Sequence, residues 1–326
     1  MKRVIVTGGN GFIGTHLLKR LLSTSKLSVA VIANSPRFRD KYLQEISQEG
    51  TRMAFHLADI RDKRSILNIF KDEKADTCIH LAAKTSVADS IKNPEETMDI
   101  NVKGTINVLE ACYENQTRNF VFASSAAVYG DARELPISEN HSLDPLSPYG
   151  KSKMLSEEHV TAFSKARKIK NSTILRIFNV YGYGQTNQSD VITKFVEGLK
   201  KKQPPVIYGN GVHTRDFISV DDVVDSILLS SRLLEKNNIR NNDSGSPFIF
   251  NIGTGIPTSI NTLAQKIIEI YQLDLTPVYQ QDSEANGVIL HSYADITKAR
   301  EILHFVPKKE IATGLKEMIA YSGLQE

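Results

Sequence analysis

The start of this chain limits its fold more than any other feature. Val4-Ile5-Val6-Thr7 is a short apolar run, Gly8, Gly11 and Gly14 follow at three-residue intervals, and Phe12–Leu22 carries the apolar periodicity of a helix. A strand that turns straight into a helix needs a backbone free of side-chain obstruction. Gly8 permits the tight turn, Gly11 lets the main chain approach a pyrophosphate, and Gly14 lets helix pack closely on strand. The free N–H groups at the helix start then face the anion. No Gly-Lys-Ser/Thr follows, which disfavours a nucleoside-triphosphate loop. Gly8, Gly11, Phe12, Ile13 and Gly14 are therefore the first candidate cofactor-binding residues.

Further apolar runs at Ser28–Ala33, Arg52–Leu57, Thr77–Leu81, Asn119–Ser124 and Ser172–Phe178 show no polar alternation, as expected of strands covered on both faces. Helical patterns separate them at Lys63–Phe70, Glu95–Tyr113 and Tyr149–Arg167. Strands alternating with helices predict an α/β fold, a doubly wound parallel sheet of the Rossmann type. Beyond residue 178 glycines and prolines break the chain into shorter pieces, with helical patterns at Val191–Lys201, Val220–Leu234 and Asn261–Ile270. The polar stretch Glu235–Ser246 reads as a surface loop. The expected organisation is a dinucleotide-binding domain over 1–178 and a smaller substrate-binding lobe over 179–326, interwoven with it.

A formal charge of +3 over 326 residues gives no electrostatic case for a nucleic-acid partner. No apolar run approaches the ~20 residues that span a bilayer, and the opening is too short for a signal-peptide core. Cys78 and Cys112 lie in apolar stretches and read as small buried hydrophobes, with no spacing that suggests a metal site. A cytoplasmic protein is expected.

The second strand ends Ile32-Ala33-Asn34-Ser35-Pro36-Arg37. The carboxylate that usually binds a ribose 2′-hydroxyl in NAD-preferring folds is missing there. Asn34 could hydrogen-bond a ribose hydroxyl, and Arg37 or Arg39 could meet a 2′-phosphate, so NAD and NADP both stay open at this point.

Tyr149 and Lys153 are four residues apart at the start of a helix, and so share a face. A free phenol has a pKa of about 10; a neighbouring ammonium favours the phenolate and makes proton exchange with a substrate hydroxyl feasible near neutrality. Ser124-Ser125 ends the preceding strand, at the sheet edge where ligands bind. Strand alternation directs one of the two toward the site, and Ser125 is favoured.

These motifs fall in a familiar order: Thr7–Gly14, Asp59-Ile60-Arg61-Asp62, His80-Leu81-Ala82-Ala83, Asn101–Thr105, Ala123–Gly130, Ser147–Lys153, Arg176–Gly182 and Thr214–Ile218. Together they resemble the NAD-dependent epimerase/dehydratase family of extended short-chain dehydrogenases, over nearly the whole chain. The resemblance implies that Asp59 and Ile60 contact adenine, that Leu81, Ala82, Ala83, Lys84 and Ser124 line the cofactor, and that Asn101 supports the active-site helix. It implies Lys153 on the nicotinamide ribose, acid–base work by Ser125 and Tyr149, and Phe178 and Asn179 where cofactor and substrate meet. Arg215 would grip a nucleotide diphosphate, Val87 and Ser90 would flank the sugar, and His80 would support backbone.

Two departures bear on the reaction. Sugar-nucleotide dehydratases carry an Asp-Glu pair after the serine or threonine, and decarboxylases keep the Glu, whereas this chain has Ala126-Ala127. The run Gln280–Leu290 lacks the second arginine that usually closes on the diphosphate. The leading expectation is an NAD-dependent 4-epimerase of a UDP-hexose, working through a transient 4-keto sugar. An NADP-dependent reductase of a keto-sugar nucleotide is the alternative, a dehydratase or decarboxylase is less favoured, and a non-catalytic dinucleotide sensor would tend to lose the tyrosine that is present. The resemblance further implies a homodimer built on Glu95–Tyr113 and Tyr149–Arg167.

Overall fold

The computed structural model describes residues 3–23, 27–36, 38, 43–45, 52–185, 190–235, 245–281 and 289–323. The Val- and Ile-rich runs become β1 (Arg3–Thr7), β2 (Ser28–Ala33), β3 (Met53–Leu57), β4 (Thr77–His80), β5 (Asn119–Ser125) and β6 (Asn171–Ile177). With β10 (Phe248–Ile252) they form one seven-stranded sheet in the order β10-β6-β5-β4-β1-β2-β3. Every pairing in it is parallel. All the carboxyl ends therefore lie along one edge, and the order reverses beside β1, which creates a crevice there.

Helices cover both faces. One core layer packs α1 (Phe12–Leu22) and α8 (Val220–Glu235) on the sheet, through Leu17, Leu18, Leu21, Val223 and Ile227. The other packs α2 (Lys63–Glu73), α5 (Gly104–Glu114) and α6 (Pro148–Lys165), through Ile66, Phe70, Val108, Leu109 and Val160. The helix expected over Glu95–Tyr113 is instead α4 (Pro94–Met98), a π turn at Asp99–Lys103, and α5. The bulge has a local reason: it carries Asn101 at the point where that side chain reaches the backbone after β4 and the side of α6, as described below. Before it lies α3 (Val87–Lys92), capped by Ser86.

After β6 the chain builds a smaller lobe: β7 (Asn179–Tyr181), α7 (Val191–Lys200), β8 (Val206–Tyr208) and β9 (Thr214–Ser219), then α8. It then returns to the main sheet as β10, and goes on through β11 (Pro257–Ser259), α9 (Ile260–Tyr271), β12 (Val278–Gln280), β13 (His291–Ser292) and α10 (Ile311–Gly323). The lobe has its own core, with Tyr181, Phe195, Phe217, Leu263 and Leu315 among its buried residues. Most of the expected loop at Glu235–Ser246 lies outside the described residues. Among the described residues no helix is long and apolar enough to cross a membrane.

The glycine turn is as tight as its spacing implies. Gly8 has a φ of +70°, and a Cβ there would meet the Ala82 nitrogen at 2.7 Å. A Cβ on Gly14 would sit 2.7 Å from the Gly9 Cα, inside the β1–α1 turn. Backbone atoms cannot yield as a flexible side chain would. Gly14→Ala should therefore lower the unfolding free energy by about 1–3 kcal/mol. Denaturant unfolding reads this directly, and an unchanged midpoint would contradict the close packing.

Candidate active site

The crevice beside β1 is a cleft of about 790 Å3, within the usual range for small-molecule sites. Gly8, Gly11, Phe12, Ile13 and Gly14 line one end, with Asn34 at the tip of β2 and Asp59 and Ile60 after β3. Leu81, Ala82, Ala83 and Lys84 follow β4, and Ser124, Ser125, Tyr149, Lys153, Phe178 and Asn179 line the remainder. Four predicted residues do not line the cleft: Val87, Ser90, Asn101 and Arg215. Arg37 and Arg39 lie outside the described residues, as does most of Gln280–Leu290. Thr85, Glu96, Ile100, Gln185 and Asp190 also line the cleft and were not singled out from sequence.

Several features of the cleft suit a dinucleotide. α1 begins at Gly11 with no side-chain cap, so its first N–H groups are left for a ligand. The Asp59 carboxylate accepts from Arg61 Nη2 at 2.7 Å and from the Arg61 backbone N–H at 2.9 Å. That clamp holds Asp59 below the usual carboxylate range. Among the described residues the buried side-chain oxygen of Gln185 has no hydrogen-bond partner, and an uncompensated acceptor of this kind favours a ligand donor.

The reactive end is assembled by α6. Ser147 caps the helix, its Oγ accepting from Gly150 N at 3.1 Å, and Pro148 occupies its first turn. Ser90 is fully buried and accepts the Tyr149 N–H at 3.1 Å. It thereby seats the helix start on α3. Asn101 accepts from Lys84 N at 2.8 Å, donates to Lys84 O at 3.0 Å, and donates to Ser152 Oγ at 2.8 Å. One side chain thus ties the π turn, the loop after β4 and α6 together.

Tyr149 is nearly buried, and desolvation raises its pKa, while a hydrogen bond with the Ser125 side chain works the other way. Lys153 donates to the Ala123 carbonyl at 2.7 Å. Burial pushes its pKa down to about 8, partly offset by the negative charge of Glu157. Ser125 Oγ accepts from Ala127 N at 3.2 Å, and Ser124 turns the opposite way to donate to Glu157 at 2.5 Å. The strand alternation that favours Ser125 is thus visible in the hydrogen bonds.

His80 is fully enclosed, its pKa pushed down to about 3 by burial. Thr105 Oγ1 gives its proton to the Asn101 carbonyl at 2.5 Å, so it must accept from His80 Nε2 at 2.9 Å. His80 Nδ1 then accepts from the Thr7 hydroxyl at 2.6 Å, whose oxygen accepts the Ala82 N–H at 3.3 Å. A neutral histidine therefore braces the loop after β4 and has no free nitrogen.

Arg215 is half-buried on β9 and donates to its own Thr214 carbonyl at 2.8 Å. Its neighbour Asp216 accepts from Thr254 N at 2.7 Å, Gly255 N at 2.9 Å and Ala294 N at 3.1 Å. Asp216 thus pins the strand that carries the arginine. Ala126 and Ala127 form a short 3-10 turn after Ser125 and offer no acid or base. The carboxyl groups that line the cleft are elsewhere engaged. Asp59 is held by Arg61, Glu96 pairs with Lys84, and Asp190 caps α7.

A parallel sheet, a glycine-turn crevice and a Ser–Tyr–Lys set at its carboxyl edge define a dinucleotide-dependent enzyme of the short-chain dehydrogenase type. Residues 5–318 match the family described as GDP-mannose 4,6 dehydratase. The chain belongs to this NAD-dependent epimerase/dehydratase family. A Methanocaldococcus jannaschii protein, provisionally named a UDP-glucose 4-epimerase, is 37% identical over 97% of both chains. The solved Thermotoga maritima UDP-glucose 4-epimerase with UDP-glucose is 30% identical, covers 99% of both chains and superposes with a TM-score of 0.88. The Thermus thermophilus UDP-glucose 4-epimerase, solved with NAD, is 27% identical over 98% of both chains, with a TM-score of 0.83.

Tyr149→Phe removes one hydroxyl and leaves the buried ring. Turnover should fall by on the order of 10²–10⁴ with folding retained, measured by kinetics alongside thermal melting; undiminished turnover would remove Tyr149 from the chemistry. A lysine with a pKa of about 8 is an ammonium only below that pH. Activity should therefore decline as pH rises through 8, and a flat profile to pH 10 would contradict this placement of Lys153.

Proposed function

We propose that this protein is an NAD-dependent 4-epimerase of UDP-hexoses, with UDP-glucose and UDP-galactose as its representative pair. The observation that carries the reading is a complete Ser125–Tyr149–Lys153 set next to Ala126-Ala127. The site can move one proton at a carbinol oxygen. Among the described residues every carboxyl group lining the cleft is already engaged, which leaves no second acid/base beside Ser125 for eliminating water from a neighbouring carbon. The family's dehydratase chemistry needs that second group.

Gly8, Gly11, Phe12, Ile13 and Gly14 would hold the NAD pyrophosphate, Asp59 and Ile60 the adenine, and Asn34 the adenosine ribose. Leu81, Ala82, Ala83 and Lys84 would cover its inner face, with Lys153 and Phe178 at the nicotinamide end. NAD, when bound, supplies the hydride acceptor and donor at C4 of its ring. Tyr149 as phenolate takes the proton of the sugar 4-hydroxyl and later returns it, while Ser125 donates to the same oxygen. Lys153 keeps the phenolate stable by its positive charge. The sugar passes through a 4-keto state and must present its other face before it is reduced again. Asn179 and Arg215 belong to the substrate side, Arg215 as the diphosphate ligand, since a guanidinium matches two phosphate oxygens. Ser90 serves this region through the seating of α6, and Val87, exposed at the start of α3, would flank the sugar. Residues 1–178, joined by α8 and β10 on the main sheet, act as the cofactor domain, and the rest of 179–326 acts as the substrate lobe interwoven with it.

The same reading includes a cytoplasmic homodimer. Cys78 and Cys112 are both free, buried thiols, as in a reducing compartment. A groove lined by Met98, Val102, Ile106 and Leu155 runs between α4–α5 and α6, and the equivalent face of a second copy would cover it. Light scattering at micromolar concentration should give twice the chain mass, and Leu155→Arg should give the monomer. A monomeric unmodified protein would remove the dimer from the account.

The function itself is tested by product analysis. Purified protein with UDP-galactose should yield UDP-glucose until the two reach equilibrium, without stoichiometric change in free NADH or NADPH. A 6-deoxy-4-keto product would point to dehydration, and one reduced cofactor consumed per turnover would point to the reductase.

A further inference from the structure

Directly behind the reactive edge lies an ion pair that the proton chemistry does not itself use. Glu157 on α6 and Arg176 on β6 are both almost completely buried. Arg176 Nη2 meets Glu157 Oε2 at 2.7 Å, and Nε lies 3.1 Å from each carboxylate oxygen. Its remaining Nη1 donates to Tyr129 Oη at 3.1 Å and to the Glu139 carbonyl at 3.0 Å. Tyr129 in turn donates to Asn251 Oδ1 at 2.6 Å, on β10. All three nitrogens of the guanidinium are thus engaged. A buried pair of this kind adds little to stability relative to apolar residues, so its presence calls for a reason besides folding.

The reason is visible in what else Glu157 touches. Its Oε1 accepts from Ser124, the residue before Ser125, and it stands one helical turn beyond Lys153. We propose that Glu157 is a positioning residue of the active site: clamped by Arg176, it holds Ser124 to the back of β5 so that Ser125 faces the cleft, and it is the counter-charge to Lys153. This inference rests on the Ser125–Tyr149–Lys153 reading above.

The groups that bear on Lys153 can be named element by element. Glu157 and Tyr149 stand on its own helix, and Arg176 of β6 lies behind Glu157. From β4 comes His80, which burial keeps neutral. Glu157 is therefore the one negative charge among the described residues that raises the lysine's proton affinity against burial. Without it, Lys153 loses its proton at lower pH, and the tyrosine loses its cationic neighbour earlier.

The test compares Glu157→Gln, Glu157→Asp and Ser124→Ala with the unmodified protein, each checked for folding by melting. The readouts are the pH profile of kcat/KM for UDP-galactose and the pH at which NAD affinity changes. Glu157→Gln should move the alkaline limb of both to lower pH by about one unit, a tenfold change in the proton dissociation constant. Glu157→Asp, which keeps the charge, should restore most of it. Ser124→Ala leaves the ion pair intact; it should lower kcat about threefold to tenfold without moving the limb, an order expected for one lost hydrogen bond. Where an uncompensated Arg176 unfolds the Gln variant, Ser124→Ala still decides, since an unchanged kcat would overturn the positioning role. A folded Gln variant with an unmoved limb would also overturn it. If the unmodified protein binds NAD but converts no UDP-sugar, the proposed function fails, while the NAD-affinity limb still tests Glu157.

Discussion

The ammonium of Lys153 has almost no access to water, so it must be matched by acceptors or give up its proton. It is matched by the Ala123 carbonyl at 2.7 Å, one residue short of the serine pair at the end of β5. That contact fixes α6 against the sheet edge. With the helix held there, Tyr149 comes to lie beside Ser125 one turn earlier, and Glu157 beneath Ser124 one turn later. The remaining supports secure the same helix from other sides: Ser90 on its first N–H, Asn101 on Ser152, and Ser147 as its cap.

The cofactor end of the cleft depends on a different constraint, the absence of side chains. Gly8 faces the backbone of Ala82 and Gly14 faces that of Gly9, each at a separation no Cβ could occupy. These approaches bring the uncapped start of α1 to the crevice and set the loop after β4 alongside it. The neutral His80, hydrogen-bonded at both nitrogens, keeps that loop from relaxing. The phosphate end and the reactive end meet at Asn101, which holds the loop after β4 through the Lys84 backbone and α6 through Ser152.

Much of this was legible in the chain because it is written locally. Glycine spacing, β-branched runs and the four-residue step from Tyr149 to Lys153 are short-range signals, and β1, β2 and α1 fall on the expected residues. The π turn at Asp99–Lys103 was not legible, since it is a compromise between helix periodicity and the distant partners of Asn101. Nor was the return of Phe248–Ile252 to the first sheet, because nothing within five residues says which sheet a strand will join. Glu157 and Arg176 read as ordinary helix and strand residues, and only the fold brings their side chains together across 19 positions. Arg215 is the converse case. Its motif is plain in the sequence, yet in the structure its guanidinium turns to its own Thr214 carbonyl and does not line the cleft.

The central claim is that one proton site and one retained hydride interconvert two C4 stereoisomers. Its most direct measurement follows the hydrogen itself. UDP-glucose labelled with deuterium at C4, incubated with the protein in ordinary water, should give UDP-galactose with the deuterium still at C4 and no exchange at C5. Loss of the label to water, or appearance of solvent hydrogen at C4 or C5, would contradict the account.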